Sequence, residues 1–428
     1  MKRGTSRRTL LSLGVAVPIL AATGCGRQPG AAGATAWALT GGSEDATRDS
    51  FKAWNKSHPD EKITVEWFAN DDYKEKIRTA VGSGNAPTLI FGWAGALLAD
   101  YVKNKHVIDL TEDVEKLSKR LLPSVAAVGQ IDGKTYAVPN NQTQPIEMFY
   151  NTEVLGKAKA ELPKTWDELL DAVDKLKSAD VIPIALAGQS VWPELMWIEY
   201  LADRIGGPEA FGRVLDGEKG AWSHPDMLDA LDKVTELVEL GAFGDNYGSV
   251  EADAGADTAL VYTGKAGMIL HGSWVYPDFI KNAPELIKKD GLAYSTFPTV
   301  KGGKGDKSNV VGNPANFWSV SSSATETHRN TGTSYLGGDL FDDDHIDSLL
   351  AVGAVPPVTG IEDKIGEADN ADYLDFTYGL ARDAKHFELS WDQALPSKQA
   401  QELLENLSKL FLGDVGAEDF ANAMDKTL

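Results

Sequence analysis

Cysteine is nearly absent from this chain of 428 residues, which contains only Cys25. An internal disulfide is therefore excluded, as are the paired Cys-x-x-Cys motifs of zinc and redox sites. The sequence also lacks a His-Glu-x-x-His motif, calcium-loop spacing and a Gly-x-Ser-x-Gly elbow, so it offers no recognisable metal or serine-hydrolase centre. We accordingly predict no metal, no cofactor and no catalytic residue.

Positive charge is scarce, with 41 Lys and Arg residues against 63 Asp and Glu residues and a formal net charge of −22. Four of the cations lie within residues 1–24, and a chain beginning at Cys25 would carry −26. Such a surface repels nucleic acid and anionic lipid headgroups. We therefore expect no nucleic-acid partner.

Long apolar runs are missing except near the N-terminus, where Leu10–Ala22 follows four cations. This pattern predicts a signal peptide at 1–24, and the pair Arg7-Arg8 resembles a twin-arginine export signal. Cys25 follows Ala22-Thr23-Gly24, which resembles a lipoprotein cleavage box with Cys25 as the lipid attachment residue. The alternative is a chance cysteine within a discarded signal. The first interpretation predicts an extracytoplasmic protein anchored to the outer face of the cell membrane, with 25–34 as a flexible linker.

The following segments alternate between strand-like and helical patterns, which predicts an α/β fold with a largely parallel sheet. Strand patterns occur at 35–39, 63–68 and 88–91, whereas the middle of the chain is mainly helical and contains a capping box at Thr165–Glu168. Asp132-Gly133 predicts a tight turn. About four hundred mature residues exceed what one hydrophobic core usually serves, so we expect two domains.

Six segments in fixed order resemble the extracellular solute-binding proteins of bacterial ABC transporters, in particular the family 1, maltose-binding-protein-like sugar-binding lipoproteins. They are 86–91, 132–139, 149–151, 162–169, 264–268 and 272–274. The resemblance implies a two-lobed periplasmic-binding-protein-like fold with hinge crossings and a ligand cleft between the lobes. It divides the chain into 35–142 (lobe 1), 143–262 (lobe 2), 263–315 (lobe 1 again) and 316–428 (mainly lobe 2, with C-terminal helices).

The same resemblance implies a monomer that is not an enzyme, with an oligosaccharide ligand and an ABC permease as partners. It places the hinge segment 140–144 at the cleft, where Asn141 and Gln144 are the preferred ligand-binding residues. Amides donate and accept hydrogen bonds, as sugar hydroxyls do. Asn313 and Asn316 lie in a later crossing that is usually glycine-rich in the family. Ser43 is a further candidate after the first strand.

Aromatic side chains supply apolar contact with the C–H face of a sugar ring. Trp93, Trp192 and Trp274 are the candidates for this role, with Trp274 at a family position whose aromatic often stacks on sugar. Trp54, Trp67 and Trp166 are assigned to packing, and the pair Trp391-Asp392 is a weaker candidate.

Two other functions stay open at this point. A membrane-tethered glycoside hydrolase would use a pair of carboxylates that spacing alone does not reveal. A binding protein for a polyamine or another small solute would need carboxylates in the cleft. The selected cleft segments carry mostly neutral amides, with Glu147 and Glu194 as the exceptions. The acidic run Asp342–Asp344 is interpreted as the capped start of a helix rather than a cation site.

Overall fold

A computed structural model describes residues 33–428. The predicted signal peptide, Cys25 and most of the linker 25–34 lie outside this range. The strands are β1 (Ala34–Leu39), β2 (Ile63–Phe68), β3 (Leu89–Gly92), β4 (Gln130–Ile131), β5 (Lys134–Thr135), β6 (Val138–Pro139), β7 (Gln144–Asn151), β8 (Ile182–Ala185), β9 (Ala266–Gly272), β10 (Leu292–Ser295), β11 (Val310–Asn313), β12 (Phe317–Val320) and β13 (Phe387–Leu389).

The helices are α1 (Glu44–Ser57), α2 (Asn70–Gly82), α3 (Gly95–Lys103), α4 (Glu115–Ser118), α5 (Pro123–Val128), α6 (Thr152–Ala158), α7 (Trp166–Ser178), α8 (Trp192–Gly206), α9 (Glu209–Leu215), α10 (Pro225–Glu239), α11 (Ala256–Tyr262), α12 (Tyr276–Asn282), α13 (Pro284–Lys288), α14 (Glu326–Gly338), α15 (Asp343–Ala351), α16 (Glu362–Gly366), α17 (Ala371–Asp383), α18 (Trp391–Ala394), α19 (Ser397–Phe411) and α20 (Ala417–Asp425). The predicted α/β class and two-lobed fold are confirmed.

The first sheet has the order β2-β1-β3-β12-β6. Strand β1 pairs in parallel with β2 and β3, and β12 pairs antiparallel with β3 and β6. Buried and half-buried residues alternate along β1, because successive side chains of a strand point to opposite faces of the sheet. The carboxyl ends of β1 and β3 therefore lie at one edge, which is where ligands bind in open α/β sheets.

The second sheet has the order β13-β11-β7-β9-β8, and β10 pairs with β7 outside this path. All eight residues of β7 are buried, because helices cover both of its faces. On one side Tyr150 packs in a core with α7 and α8. On the other side Phe149 meets Tyr373 of α17 at a ring distance of 6.1 Å.

The chain passes from the first sheet to the second between β6 and β7, returns between β11 and β12, and enters the second sheet again at β13. This differs from the expected division of the chain. The sequence places residues 263–315 in lobe 1, whereas β9, β10 and β11 all belong to the second sheet. It places residues 316–428 mainly in lobe 2, whereas β12 joins the first sheet and α15 packs against α1. Strand patterns reveal a strand but not its partner, because pairing depends on residues far apart in sequence.

Local signals in the sequence have their expected structures. Thr165 and Glu168 form both bonds of the capping box at the start of α7. Asp132 and Gly133 both have positive φ and join β4 to β5 as a hairpin. The Asp342 side chain accepts a hydrogen bond from the His345 N–H and caps α15.

Two of the tryptophans assigned to packing are buried. Trp54 lies in the core of the first lobe and Trp166 in that of the second. Trp67 is half-buried at an edge strand, with the Arg48 guanidinium 4.0 Å from its ring. No helix within residues 33–428 combines the length and the apolar character that a membrane crossing needs.

Candidate functional site

A cavity of about 190 Å³, partly open to solvent, lies between the two sheets. Residues from both lobes line it, including the carboxyl end of β1, the loop after β3, both strand crossings and the start of α8. All eight residues selected from the sequence line this cavity, namely Ser43, Trp93, Asn141, Gln144, Trp192, Trp274, Asn313 and Asn316. Of the weaker pair, Asp392 lines the cavity, whereas Trp391 is buried against Phe211.

Amides from the two crossings form one wall of the cavity. Gln144 begins β7 and is paired in register with Asn313 of β11, so the two crossings lie side by side. The buried Oδ1 atoms of Asn141, Asn313 and Asn316 have no hydrogen-bond partner within residues 33–428, and neither polar atom of the Gln142 amide has one. Buried amides without partners cost free energy. This wall is therefore suited to a ligand that offers several hydroxyl groups.

Three tryptophans provide the apolar surface of the cavity. Trp192 and Trp274 come from the second lobe, with ring centres 6.0 Å apart at 46°. Trp93 comes from the first lobe and contacts Phe91 edge-on at 5.4 Å. The Lys74 ammonium lies 5.4 Å from the Trp93 ring and 6.0 Å from the Trp192 ring, so it connects the two lobes across the cavity.

Trp274 is held in place by the turn that precedes it. The Ser273 hydroxyl donates to the Thr143 carbonyl at 2.9 Å, which ties this turn to the first crossing. A Cβ atom on Gly272 would lie 1.7 Å from Cζ3 of Trp274. The indole can occupy its position only because residue 272 has no side chain.

Charged side chains also line the cavity, and apart from Asp392 no sequence pattern indicated them. Besides Lys74 they include Asp253, Asp278 and Asp392. Asp253 accepts a hydrogen bond from the Asp71 N–H at 2.9 Å, and Asp392 accepts from Ser390 and Gln393. Burial raises the pKa of Asp278. Gln142, which lies in the polar segment 140–144 of the first crossing, also lines the cavity. Its position between Asn141 and Gln144 could have identified it as a candidate from the sequence.

Glu147 and Glu194 are buried but do not line the cavity. Burial raises the pKa of Glu147 to about 8, although a hydrogen bond donated by Thr377 opposes this shift. Burial alone raises the pKa of Glu194 to about 9. Neither residue therefore supplies a cleft carboxylate for an amine ligand. In the described part of the chain no three His, Cys, Asp or Glu residues are placed to hold a metal ion.

Comparisons with known proteins agree with this architecture. A probable sugar-binding periplasmic protein of Rhizobium meliloti is 28% identical over 48% of this chain and 49% of its own length. The xylose/arabinose-binding protein XacG of Haloferax volcanii is 26% identical over 56% of this chain and 52% of its own. This chain thus spans about half the length of the curated relatives it matches.

Solved structures resemble the whole described chain. One, from work on xylan utilization by the thermophilic bacterium Caldanaerobius polysaccharolyticus, is 26% identical, with a TM-score of 0.83 over 92% of this chain and 99% of that one. The GacH receptor of Streptomyces glaucescens, solved unliganded and with acarbose, shares the fold at 18% identity, with a TM-score of 0.74 over 92% of this chain and 97% of its own. The family model described as bacterial extracellular solute-binding protein matches residues 40–327. Because that match covers well over half of the sequence, the chain belongs to the family of bacterial extracellular solute-binding proteins.

Proposed function

We propose that this protein captures a di- or oligosaccharide outside the cell membrane and delivers it to the permease of an ABC importer. The observation that carries the proposal is the cavity itself, which is lined both by three tryptophans and by amides from both crossings that lack a partner within residues 33–428. A sugar ring presents hydroxyl groups at its rim and C–H groups on its faces. The amides match the first and the indoles match the second.

The names of relatives support a sugar as the ligand class. The Rhizobium relative is described as sugar-binding and the Haloferax relative as binding xylose and arabinose. Because these matches cover about half of each protein, they support the class of ligand rather than a particular sugar.

The location of the cavity suggests how binding leads to delivery. A ligand that contacts both Trp93 on the first lobe and Trp274 on the second binds most tightly when the lobes are close together. Such a ligand shifts the population toward the closed form. A permease that recognises the closed form would then distinguish loaded from empty protein.

A cationic ligand is the second candidate, because Asp253, Asp278 and Asp392 all line the cavity. Two of these carboxylates already accept hydrogen bonds from the protein, and Lys74 lies among the tryptophans of the same cavity. These features favour a neutral sugar over a polyamine.

Thermal-shift measurements on the purified protein test the proposal with monosaccharides, disaccharides, oligosaccharides and spermidine. A ligand at 100 times its Kd adds about 2.7 kcal/mol to the free energy of unfolding. We expect stabilisation by one group of saccharides. Stabilisation by spermidine alone would assign the cationic ligand, and shortened oligosaccharides after long incubation would assign the glycoside hydrolase.

Membrane attachment through a lipid on Cys25 completes the proposal. Its support is the position of Cys25 directly after Ala22-Thr23-Gly24. Two acyl chains on this residue would hold the protein stably at the outer face of the membrane, close to the permease. The twin-arginine route remains part of the proposal for export.

A further inference from the structure

His271 is a buried histidine directly beside the two cavity tryptophans of the second lobe. It is the penultimate residue of β9 and only 2% exposed. Its ring meets Trp274 at a centre distance of 5.2 Å and 76°, and Trp192 at 5.5 Å and 87°. A single imidazole therefore contacts, in edge-to-face geometry, both indoles that line the cavity from this lobe.

Hydrogen bonding fixes the orientation of this imidazole. The Gly272 N–H lies 3.0 Å from Nδ1 and donates to it, so Nδ1 carries no proton. The proton is then on Nε2, which lies 3.4 Å from Oδ2 of Asp257. Asp257 is itself buried, and its other oxygen accepts from the Thr258 N–H at 2.8 Å. The ring is thus held by one hydrogen bond, at Nδ1. At Nε2 it lies beside the Asp257 carboxylate in the first turn of α11, whose Oδ2 has no hydrogen-bond partner within residues 33–428.

The hydrogen bond between Gly272 and His271 links the position of the imidazole to that of the Trp274 indole. The residue that donates to Nδ1 is Gly272, and the Trp274 ring lies directly over Gly272. A shift of the imidazole would move the Gly272 peptide and, with it, the surface on which the indole rests.

We propose that His271 is a positioning residue that sets the relative orientation of Trp192 and Trp274 in the cavity. This inference rests on the proposed function in one respect, namely that the oriented indoles are the surface on which a sugar ring stacks. The tautomer follows from the Gly272 N–H bond at Nδ1, and the Asp257 carboxylate lies beside the opposite nitrogen of the ring.

The orientation of the two indoles can be measured without any ligand. Two indoles 6.0 Å apart at 46° produce an exciton couplet in far-ultraviolet circular dichroism. The Trp192→Phe variant lacks this pair of indoles, so the difference between its spectrum and that of the parent gives the size of the couplet. We expect His271→Ala to reduce the couplet to the level of Trp192→Phe. We also expect His271→Ala to weaken sugar binding by about tenfold or more.

His271→Asn is a second variant, since its amide oxygen can still accept the Gly272 N–H while the aromatic ring is gone. It should fold like the parent and still lose the couplet, so the proposal stays testable if His271→Ala does not fold. His345 is the matched control, because it is equally buried and also accepts a backbone N–H at Nδ1, from Phe341 in the first lobe. His345→Ala should lower the melting temperature and leave the couplet unchanged.

An unchanged couplet in His271→Asn would overturn the positioning role. A lost couplet combined with unchanged sugar affinity would overturn the link between the orientation of the indoles and sugar binding. If the couplet is lost and no saccharide binds even the parent protein, the proposed function fails while the positioning of the indoles stands.

Discussion

Substitution of Gly272 by alanine tests whether ligand binding in the cavity depends on the position of the Trp274 indole. Gly272 has φ −72° and ψ 156°, an extended conformation that alanine adopts without strain. The added Cβ would lie 1.7 Å from Cζ3 and 2.1 Å from Cε3 of Trp274. Since ordinary van der Waals contact begins at about 3.4 Å, the indole must retreat by roughly 1.7 Å.

The cost should fall on binding more than on folding. The indole borders an open cavity, so it can swing away instead of straining the core, where overpacking costs about 1–3 kcal/mol. Its displacement breaks the contacts with Trp192 and His271 and removes the surface for a sugar ring. A central aromatic contact is worth about 2 kcal/mol, which corresponds to about thirtyfold in Kd.

Titration calorimetry with the best saccharide of the thermal-shift panel measures this loss. Gly212→Ala in α9 is the control, because no heavy atom outside the helix's own backbone and the neighbouring residues lies within 4 Å of the added methyl group. We expect that variant to bind like the parent. Gly272→Ala with unchanged affinity and a normal melting temperature would show that the sugar does not depend on the place of Trp274.

Trp274→Ala should weaken sugar binding by about 2 kcal/mol or more with little loss of stability. Trp166→Ala, at a buried position, should instead lower the free energy of unfolding by about 3–5 kcal/mol in the absence of sugar. Calorimetric titrations and melting curves on both variants measure the two effects, and the reverse assignment would contradict the prediction. Because the pKa of Glu194 is raised to about 9, the unfolded state releases its proton first as pH rises, so stability is lost with rising pH. Glu194→Gln should therefore gain on the order of 5 kcal/mol over the parent at about pH 8 and almost nothing at about pH 4.5. A variant and a parent with equal melting temperatures at both pH values would refute the buried neutral acid. Cys25→Ala should leave uncleaved precursor or release the protein into the medium on cell fractionation, and unchanged, detergent-dependent retention of a correctly processed chain would argue against the lipid.

The residues that line the candidate site could be selected from the sequence because they follow recognisable segments. Trp93 comes directly after an apolar strand, Trp274 after a Gly-Ser turn, and Asn141 and Gln144 within a polar run between two strands. Each was selected through resemblance to a known family, and all of them line one cavity. Lys74 was not found, because a lysine on an amphipathic helix gives no sign that its ammonium reaches an indole of the opposite lobe.

By itself, the sequence determined the local features: the capping box at Thr165, the hairpin turn at Asp132-Gly133 and the alternation of helices with strands. These depend on contacts within a few residues, which periodicity and capping preferences encode directly. Only the tertiary structure decided which sheet β9 and β12 join, because strand pairing selects among partners far apart in the sequence. It also decided that Glu194 is buried outside the cavity and that His271 lies against two indoles. Burial and ring contacts of this kind arise only when separate elements pack together, and no local pattern records them.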